Sequence, residues 1–342
     1  MAYLPYPKTT VRACMNAQPT FGSALPDNAA YYELLCEPLV IDHDVLTIQG
    51  NSHFANRYKD TDQLIVSEYG AMPKVTIKGI AINGMLSRLM YAFFQNVSEG
   101  ATSPYAKTYT FGTQQPDFTL NAGYFFTLVN KMPLASAQEK ICDCILGKLT
   151  LTCKPNGVLE YTAEVYGRGA VNMVANLNGS LSTAYLHTAG VADFWNYENM
   201  NYHTISFDQS ADTTFNLNGE LSIEYSQDVI PVGSTGSGKF ATYLITNRGG
   251  TVKVKALFDA NALTARTNWK NTTPVLLKLG WTTGTPGQTN RDNYHLLCGT
   301  LKAPIAFDDA LSADIELDMA ATVANSQVPA TVIVADGSLR GW

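Results

Sequence analysis

Apolar and polar residues alternate with a period of two along much of this chain. Leu149-Thr150-Leu151-Thr152-Cys153 does so, and Leu159-Glu160-Tyr161-Thr162-Ala163-Glu164-Val165 does so again. Alternation of this kind predicts strands with one buried face. Between the two runs, Lys154-Pro155-Asn156-Gly157 brings an Asn-Gly pair whose positive φ angles suit a tight hairpin turn. Further strands are predicted over Leu39 to Ile41, Val75 to Ile80, Phe215 to Tyr225, Val252 to Phe258, Val275 to Leu279 and Leu311 to Met319. One stretch changes period. Asn83 is placed to cap a helix, and Leu86, Leu89, Met90, Phe93, Phe94 and Val97 follow at helical spacing as a core stripe. Glycine- and polar-rich loops are predicted over Gly50 to Gly70 and Gly233 to Gly250. Arg168 to Thr204 looks like a connector anchored by Phe194, Trp195, Tyr197 and Tyr202.

The strand blocks recur in order. Glu37 to Asp42 parallels Gly219 to Glu224, and Val75 to Lys78 parallels Val252 to Lys255. An Asn and a Leu follow each at helix-start distance, as Asn83 and Leu86, then Asn261 and Leu263. Gly147-Lys148-Leu149 through Leu159 parallels Gly299-Thr300-Leu301 through Leu311 at one constant offset, which predicts hairpin turns of equal length. The inward positions stay in phase, and a one-residue slip would have reversed them. The period is too long for a solenoid or propeller blade. The expected fold is therefore mainly β, with two tandem sandwich or barrel modules, each flanked by a helix. The expected division is 1–175 for the first module with an N-terminal arm, 176–205 for a connector and 206–342 for the second module.

Composition narrows the possible roles. Of 342 residues 46% are hydrophobic, but only 15% are charged, against about 25% in average soluble proteins. The 23 Lys+Arg and 29 Asp+Glu leave a formal net charge of −6, which disfavours a sequence-reading nucleic-acid binder with its basic footprint. Few charges imply a surface of Thr, Ser, Asn and Gly, or one buried against partner chains. No secretion signal is read at the N-terminus, where Pro5 and Pro7 interrupt any apolar core. No apolar run reaches the roughly 18 residues of a membrane span, so no membrane partner is expected. The Asn-x-Ser/Thr sites at Asn96, Asn178 and Asn271 are left without a glycosylation context. The six cysteines form no CxxC pair, and reduced, core-packing thiols are expected, with Cys142 and Cys144 on one strand face.

Gly233 to Lys239 matches the GxxxxGK core of a phosphate-binding loop, but Phe240 stands where a hydroxyl must reach Mg²⁺. The segment Phe240-Ala-Thr-Tyr-Leu-Ile-Thr also reads as a strand, not as a helix opening on phosphate. In Asp42-His43-Asp44 alternation turns the histidine away from both carboxylates. The five histidines show no metal-ligand spacing, and no GxSxG occurs. A spatial carboxylate pair for glycoside hydrolysis stays open, although four Trp in the chain offer no sugar platform. No catalytic residue, metal or cofactor is assigned, and no enzymatic activity is expected.

Two strand-rich modules, long polar loops and the element order strand, long loop, strand, helix, hairpin resemble the major tail tube protein of long-tailed bacteriophages, in its duplicated form. Phe21-Gly-Ser and Leu159 to Val165 carry the likeness locally, and it spans about Phe21 to Met319. The resemblance implies a virion structural protein, assembled in the host cytoplasm, whose rings stack into a DNA-conducting tube. It implies trimeric, pseudo-hexameric rings with an inner β-barrel, other tail proteins at the tube ends, and DNA passing without specific binding. His53, Arg57, Lys59 and Asp60, with Lys239 and Arg248, become ring-stacking candidates. Glu160, Glu164, Asp314, Glu316 and Asp318 become lumen-lining candidates, giving a polar and predominantly acidic bore. The other roles open to such a composition are a capsid, decoration or baseplate component, or a carbohydrate-binding or carbohydrate-active β-protein.

Overall fold

A computed structural model describes residues 12–27, 29, 31–34, 36–43, 46–49, 64–67, 71–82, 85–94, 96–100, 105–111, 125–131, 138–169, 171–174, 181–182, 195–207, 211–233, 239–257, 273–283, 291–302, 312–321 and 328–336. The fold is mainly β and almost wholly antiparallel. Its backbone is an eight-strand ladder. In spatial order the first four strands are Val40–Asp42, Lys74–Ile80, Leu159–Tyr166 and the distal part of Gln138–Cys153. The next four are Leu217–Val232, Thr242–Leu257, Ser312–Met319 and the end of Arg291–Leu301. Gln138–Cys153 pairs with Leu217–Val232, from Lys148↔Ser226 to Cys153↔Leu221, and so joins the two halves without a break.

The halves repeat strand order and, over two of three pairings, register. Ile41↔Val75 corresponds to Ile223↔Val252, and Ala163↔Ile77 corresponds to Ile315↔Val254. The third pairing differs. Leu149 stands opposite Ala163, but Leu301 stands opposite Leu317, so the second pairing is slid by two residues relative to the first, and the turn expected to match lies outside the described residues. A slide of two keeps each side chain on its face, so the core tolerates it.

A second layer packs over this ladder. Arg12–Ala17 pairs with Phe126–Lys131, which pairs with the proximal part of Gln138–Cys153. In the second half Tyr202–Phe207, Val275–Thr283 and the proximal part of Arg291–Leu301 are arranged alike. The C-terminal strand Ala330–Asp336 pairs with Arg291–Leu301 on one side and with Tyr105–Thr110 of the first half on the other, so the halves interlock. Between the layers lies the helix Met85–Phe94, buried at eight of its ten positions. Its aromatic end meets Tyr225, with the Phe94 ring 5.2 Å away at 70°. Edge-to-face contacts of this kind add to the burial of apolar area that holds the layers together. The apolar stripe predicted for the helix is largely right, but Val97 opens the strand Val97–Glu99 instead of a third turn. Asn83, and the counterpart helix expected near Asn261, lie outside the described residues.

The connector contributes to the core through Trp195, which is 1% exposed, and whose carbonyl accepts from Leu159 N–H at 2.7 Å. The predicted turn after Cys153 is present, with Gly157 N–H donating to Lys154 O at 2.9 Å, but of the Asn-Gly pair only Asn156, at φ 61°, takes the expected positive φ.

Candidate assembly and channel surfaces

Three surfaces carry the candidate residues: one face of the ladder, the arms that project from it, and its two edges. Alternation splits the ladder cleanly. Leu149, Leu151, Tyr161, Ala163, Leu301, Ile315 and Leu317 are all buried toward the helix, as expected. Glu160, Glu164, Asp314, Glu316 and Asp318 all turn to the opposite, solvated face, where Glu160 and Asp314 are exposed. The register brings these two groups onto one surface through Thr150↔Glu224, Glu224↔Thr251 and Thr251↔Asp318.

That surface carries more carboxylates than lysines, with Asp42, Glu220 and Glu224 added to the five expected, but lysines are interleaved among them. Lys74 and Lys78 come from one neighbouring strand and Lys253 and Lys255 from another, and Lys148 and Lys302 stand among them. Lys74 Nζ meets Glu164 Oε2 at 2.7 Å, Lys148 Nζ meets Glu224 Oε2 at 2.8 Å, and Glu316 Oε1 takes both Lys253 and Lys302 at 3.2 Å. The hydrogen bond from Glu164 holds the Lys74 ammonium above its ordinary range. The strands that flank the hairpins bring both signs, Asp42, Glu220 and Glu224 along with the lysines. The strands supplying the lysines flank them in space but not in sequence. Cross-strand pairs of opposite sign stabilise register by tenths of a kcal/mol to about 1.

The arms differ from expectation. Leu46–Gln49 and Leu64–Ser67 pair as a separate two-stranded ribbon, from Leu46↔Ser67 to Gln49↔Leu64, so strand enters a stretch predicted as loop. His53, Arg57, Lys59 and Asp60 lie outside the described residues. In the second half the ladder strands run on past the core as a hairpin paired out to Val232↔Thr242. Arg248 therefore sits in a strand, beside a register shift between Ser226 and Asp228, and not in a Gly233 to Gly250 loop. The alternation from Phe240 onward continues through Tyr243 and Ile245 and carries the strand inward, which overrides the glycines at 249 and 250. Lys239 lies in the bend before this strand, its aliphatic carbons against Gly169. One face of the hairpin packs Phe240, Tyr243 and Ile245 onto Phe125 and Ile145. The other face exposes Ile230, Val232 and Leu244, with Ile230 directly opposite Leu244.

A buried polar knot fixes the base of this hairpin, and sequence reading missed it. Asp143 adopts φ 53° in a bulge between Ile141 and Cys144. Short polar side chains tolerate this left-handed conformation better than most. Its carboxylate takes Arg168 Nη1 at 3.0 Å, Gly22 N–H at 2.7 Å and the Gln18 amide. Arg168 Nε also donates to Phe240 O at 2.7 Å, and Tyr243 O–H donates to Asp143 O at 2.9 Å. The guanidinium lies over the Phe21 ring at 4.6 Å. Arg168 is 7% and Asp143 0% exposed, so the ion pair is held in the interior. The bulge also displaces Cys142 and Cys144 from simple alternation. Both thiols are buried, and burial pushes them up.

His43 Nε2 lies 3.4 Å from Glu139 Oε1. Among the described residues no three His, Cys, Asp or Glu side chains gather as a metal site, and no helix is long and apolar enough to cross a membrane. No protein-family model matches the chain. No curated protein matches it either.

Proposed function

We propose that this chain is a structural subunit that assembles with copies of itself into stacked rings, forming a tail tube through which phage DNA passes. One observation carries the reading: the chain holds two four-strand blocks of the same order and nearly the same register, fused into one ladder with a solvated face. Three such chains would line a ring with six quasi-equivalent blocks, the closed cyclic arrangement available to head-to-tail contacts. The solvated face then forms the bore. Its lysines are interleaved with a larger number of carboxylates, and its phosphate affinity is correspondingly weak, because retention of DNA grows with the number of neutralised phosphates. The paired ribbon and the extended hairpin project from corresponding positions of the two blocks and serve as stacking arms.

Negative-stain imaging of the purified protein at assembly concentration tests the reading. Hollow tubes with ring striations, and end-on averages showing three chains arranged as six similar blocks, are expected. Discrete monomers that bind glycans overturn it, and closed shells place the protein elsewhere in a virion. Six whole chains per ring would refute the two-block argument while keeping the tube.

A further inference from the structure

The outer layer of the second half buries polar groups that its neighbours leave without partners. Trp281 and Asn293 stand directly opposite each other on adjacent strands, and His295 lies two residues beyond Asn293 on the same face. All three are 0% exposed. Trp281 Nε1, both amide atoms of Asn293 and His295 Nε2 have no hydrogen-bond partner among the described residues. The flanking strands place only apolar side chains beside the two polar residues of the long strand. Leu279 and Val332 stand opposite His295, and Val334 stands opposite Asn293. Beyond Val334 comes Lys107, whose Nζ is engaged with Ser87 Oγ at 3.3 Å. Tyr225 O–H meets the other ring nitrogen of His295, at 2.5 Å. The first half carries a similar load differently: Gln18, Thr127, Asp143 and Arg168 are buried too, but they bond to one another. Buried polar groups are bonded almost without exception, to protein or to ordered water.

We propose that Trp281, Asn293 and His295 form a binding site for internal water, which completes a polar bridge from the outer layer through His295 to Tyr225 of the ladder. The chemistry selects water over an ion. The indole N–H can only donate, the amide both donates and accepts, and burial keeps the imidazole neutral at pH 7. A cation would confront the indole and amide N–H groups. An anion would confront the amide oxygen, with no charge among the three residues to offset its desolvation. Water donates two hydrogen bonds and accepts two, so it serves donors and acceptors together. Directly opposite residues have Cβ atoms about 5 Å apart, and residues two apart on one strand are separated by about 7 Å. An internal water makes about three hydrogen bonds, and these three side chains are close enough to share it. The water does for the second half what the Asp143 carboxylate does for the first: it satisfies the polar groups buried where the long strand crosses between layers. The site holds for a single chain and does not depend on the tube.

Two measurements on the full chain test this. A density map of the unaltered protein, at a resolution that shows ordered water, should hold a peak about 2.7–3.2 Å from Trp281 Nε1 and from a polar atom of Asn293 or His295. Side chains bonded directly to one another, with no peak between them, overturn the site. In solution, below assembly concentration, chains labelled with ¹⁵N in the indoles of their 4 tryptophans are compared with Trp281→Phe, and the signal that disappears belongs to Trp281. That N–H should show a nuclear Overhauser effect to water while resisting exchange with deuterated solvent, the combination that marks a held water and not the bulk. A protected indole N–H without the water effect overturns the proposal, and so does one that exchanges at once. The density needs no variant, so the proposal remains falsifiable even where Trp281→Phe fails to fold.

Discussion

The first long strand, Gln138–Cys153, passes from the outer layer into the ladder through a bulge, and its counterpart, Arg291–Leu301, makes the same passage without one. In the first, the turn of the chain is held by the Asp143 carboxylate, locked to Arg168, Gln18 and Gly22. In the second, Asn293 and His295 are the fully buried polar residues, and His295 Nδ1 meets Tyr225 O–H at 2.5 Å while its Nε2 has no hydrogen-bond partner among the described residues. Trp281 stands edge-on to its ring at 5.7 Å. One passage is thus secured by charge and the other by a neutral base under aromatic cover. Strand order and register can be repeated between halves while the local means of turning the chain are not, because topology is set by alternation and the crossing only by its immediate neighbours.

The largest test of this contrast is Asp143→Ala. It leaves the Arg168 guanidinium buried without its carboxylate, and losing one partner of a buried pair costs about 3–5 kcal/mol. Urea unfolding followed by tryptophan fluorescence measures it, and a loss under 1 kcal/mol would mean that the knot does not fasten the passage.

The next test is pH. Burial lowers the His295 imidazole from 6.5 to about 3. The unfolded chain takes up a proton near pH 6.5 that the folded chain refuses, so stability falls as pH drops below 6.5 and stops falling only near pH 3. The slope is about 1.4 kcal/mol per pH unit, or roughly 2 kcal/mol between pH 6.5 and 5. Denaturation midpoints taken across that window should decline in the parent protein and in Asp143→Ala, and be flatter in His295→Gln. An unchanged decline in His295→Gln would assign the proton uptake to another group.

The smallest effect is expected on the solvated face. Lys74→Ala removes a pair whose lysine side chain is 42% exposed, and exposed pairs are worth about 0.2–1 kcal/mol at low salt. A midpoint shift approaching that of the Asp143 variant would show the face to be a structural element comparable with the knot.

Legibility in the sequence followed solvent exposure. Ladder strands such as Leu159–Tyr166 and Ser312–Met319 wet one face, so their alternation is plain and places Tyr161, Ala163, Ile315 and Leu317 inside, although Ser312, in phase with the solvated residues, is buried as well. Outer-layer strands were mostly overlooked. Phe125 to Asn130 is buried at every position, as is Lys140 to Gly147, and a strand buried on both sides has no period to show. The Asp143–Arg168 pair gave no signal because its members are 25 residues apart and share no spacing rule. The ion pairs of the solvated face gave no signal for a related reason: the lysines reach the carboxylates only through pairing.

The pairing of Tyr105–Thr110 with Ala330–Asp336 sets a timetable for the molecule. At roughly 5–20 residues per second, a ribosome delivers Val332 some 10–45 s after Tyr109, about 220 residues earlier in the chain. Throughout that interval the first half has a strand edge with no partner, and edges left open invite pairing with other nascent chains. Folding can therefore finish only when late sequence returns to early sequence, a closure of high contact order that is slow by nature. Crowded polysomes are the setting in which this chain is most prone to mispair, and slower, cooler expression should raise its soluble yield.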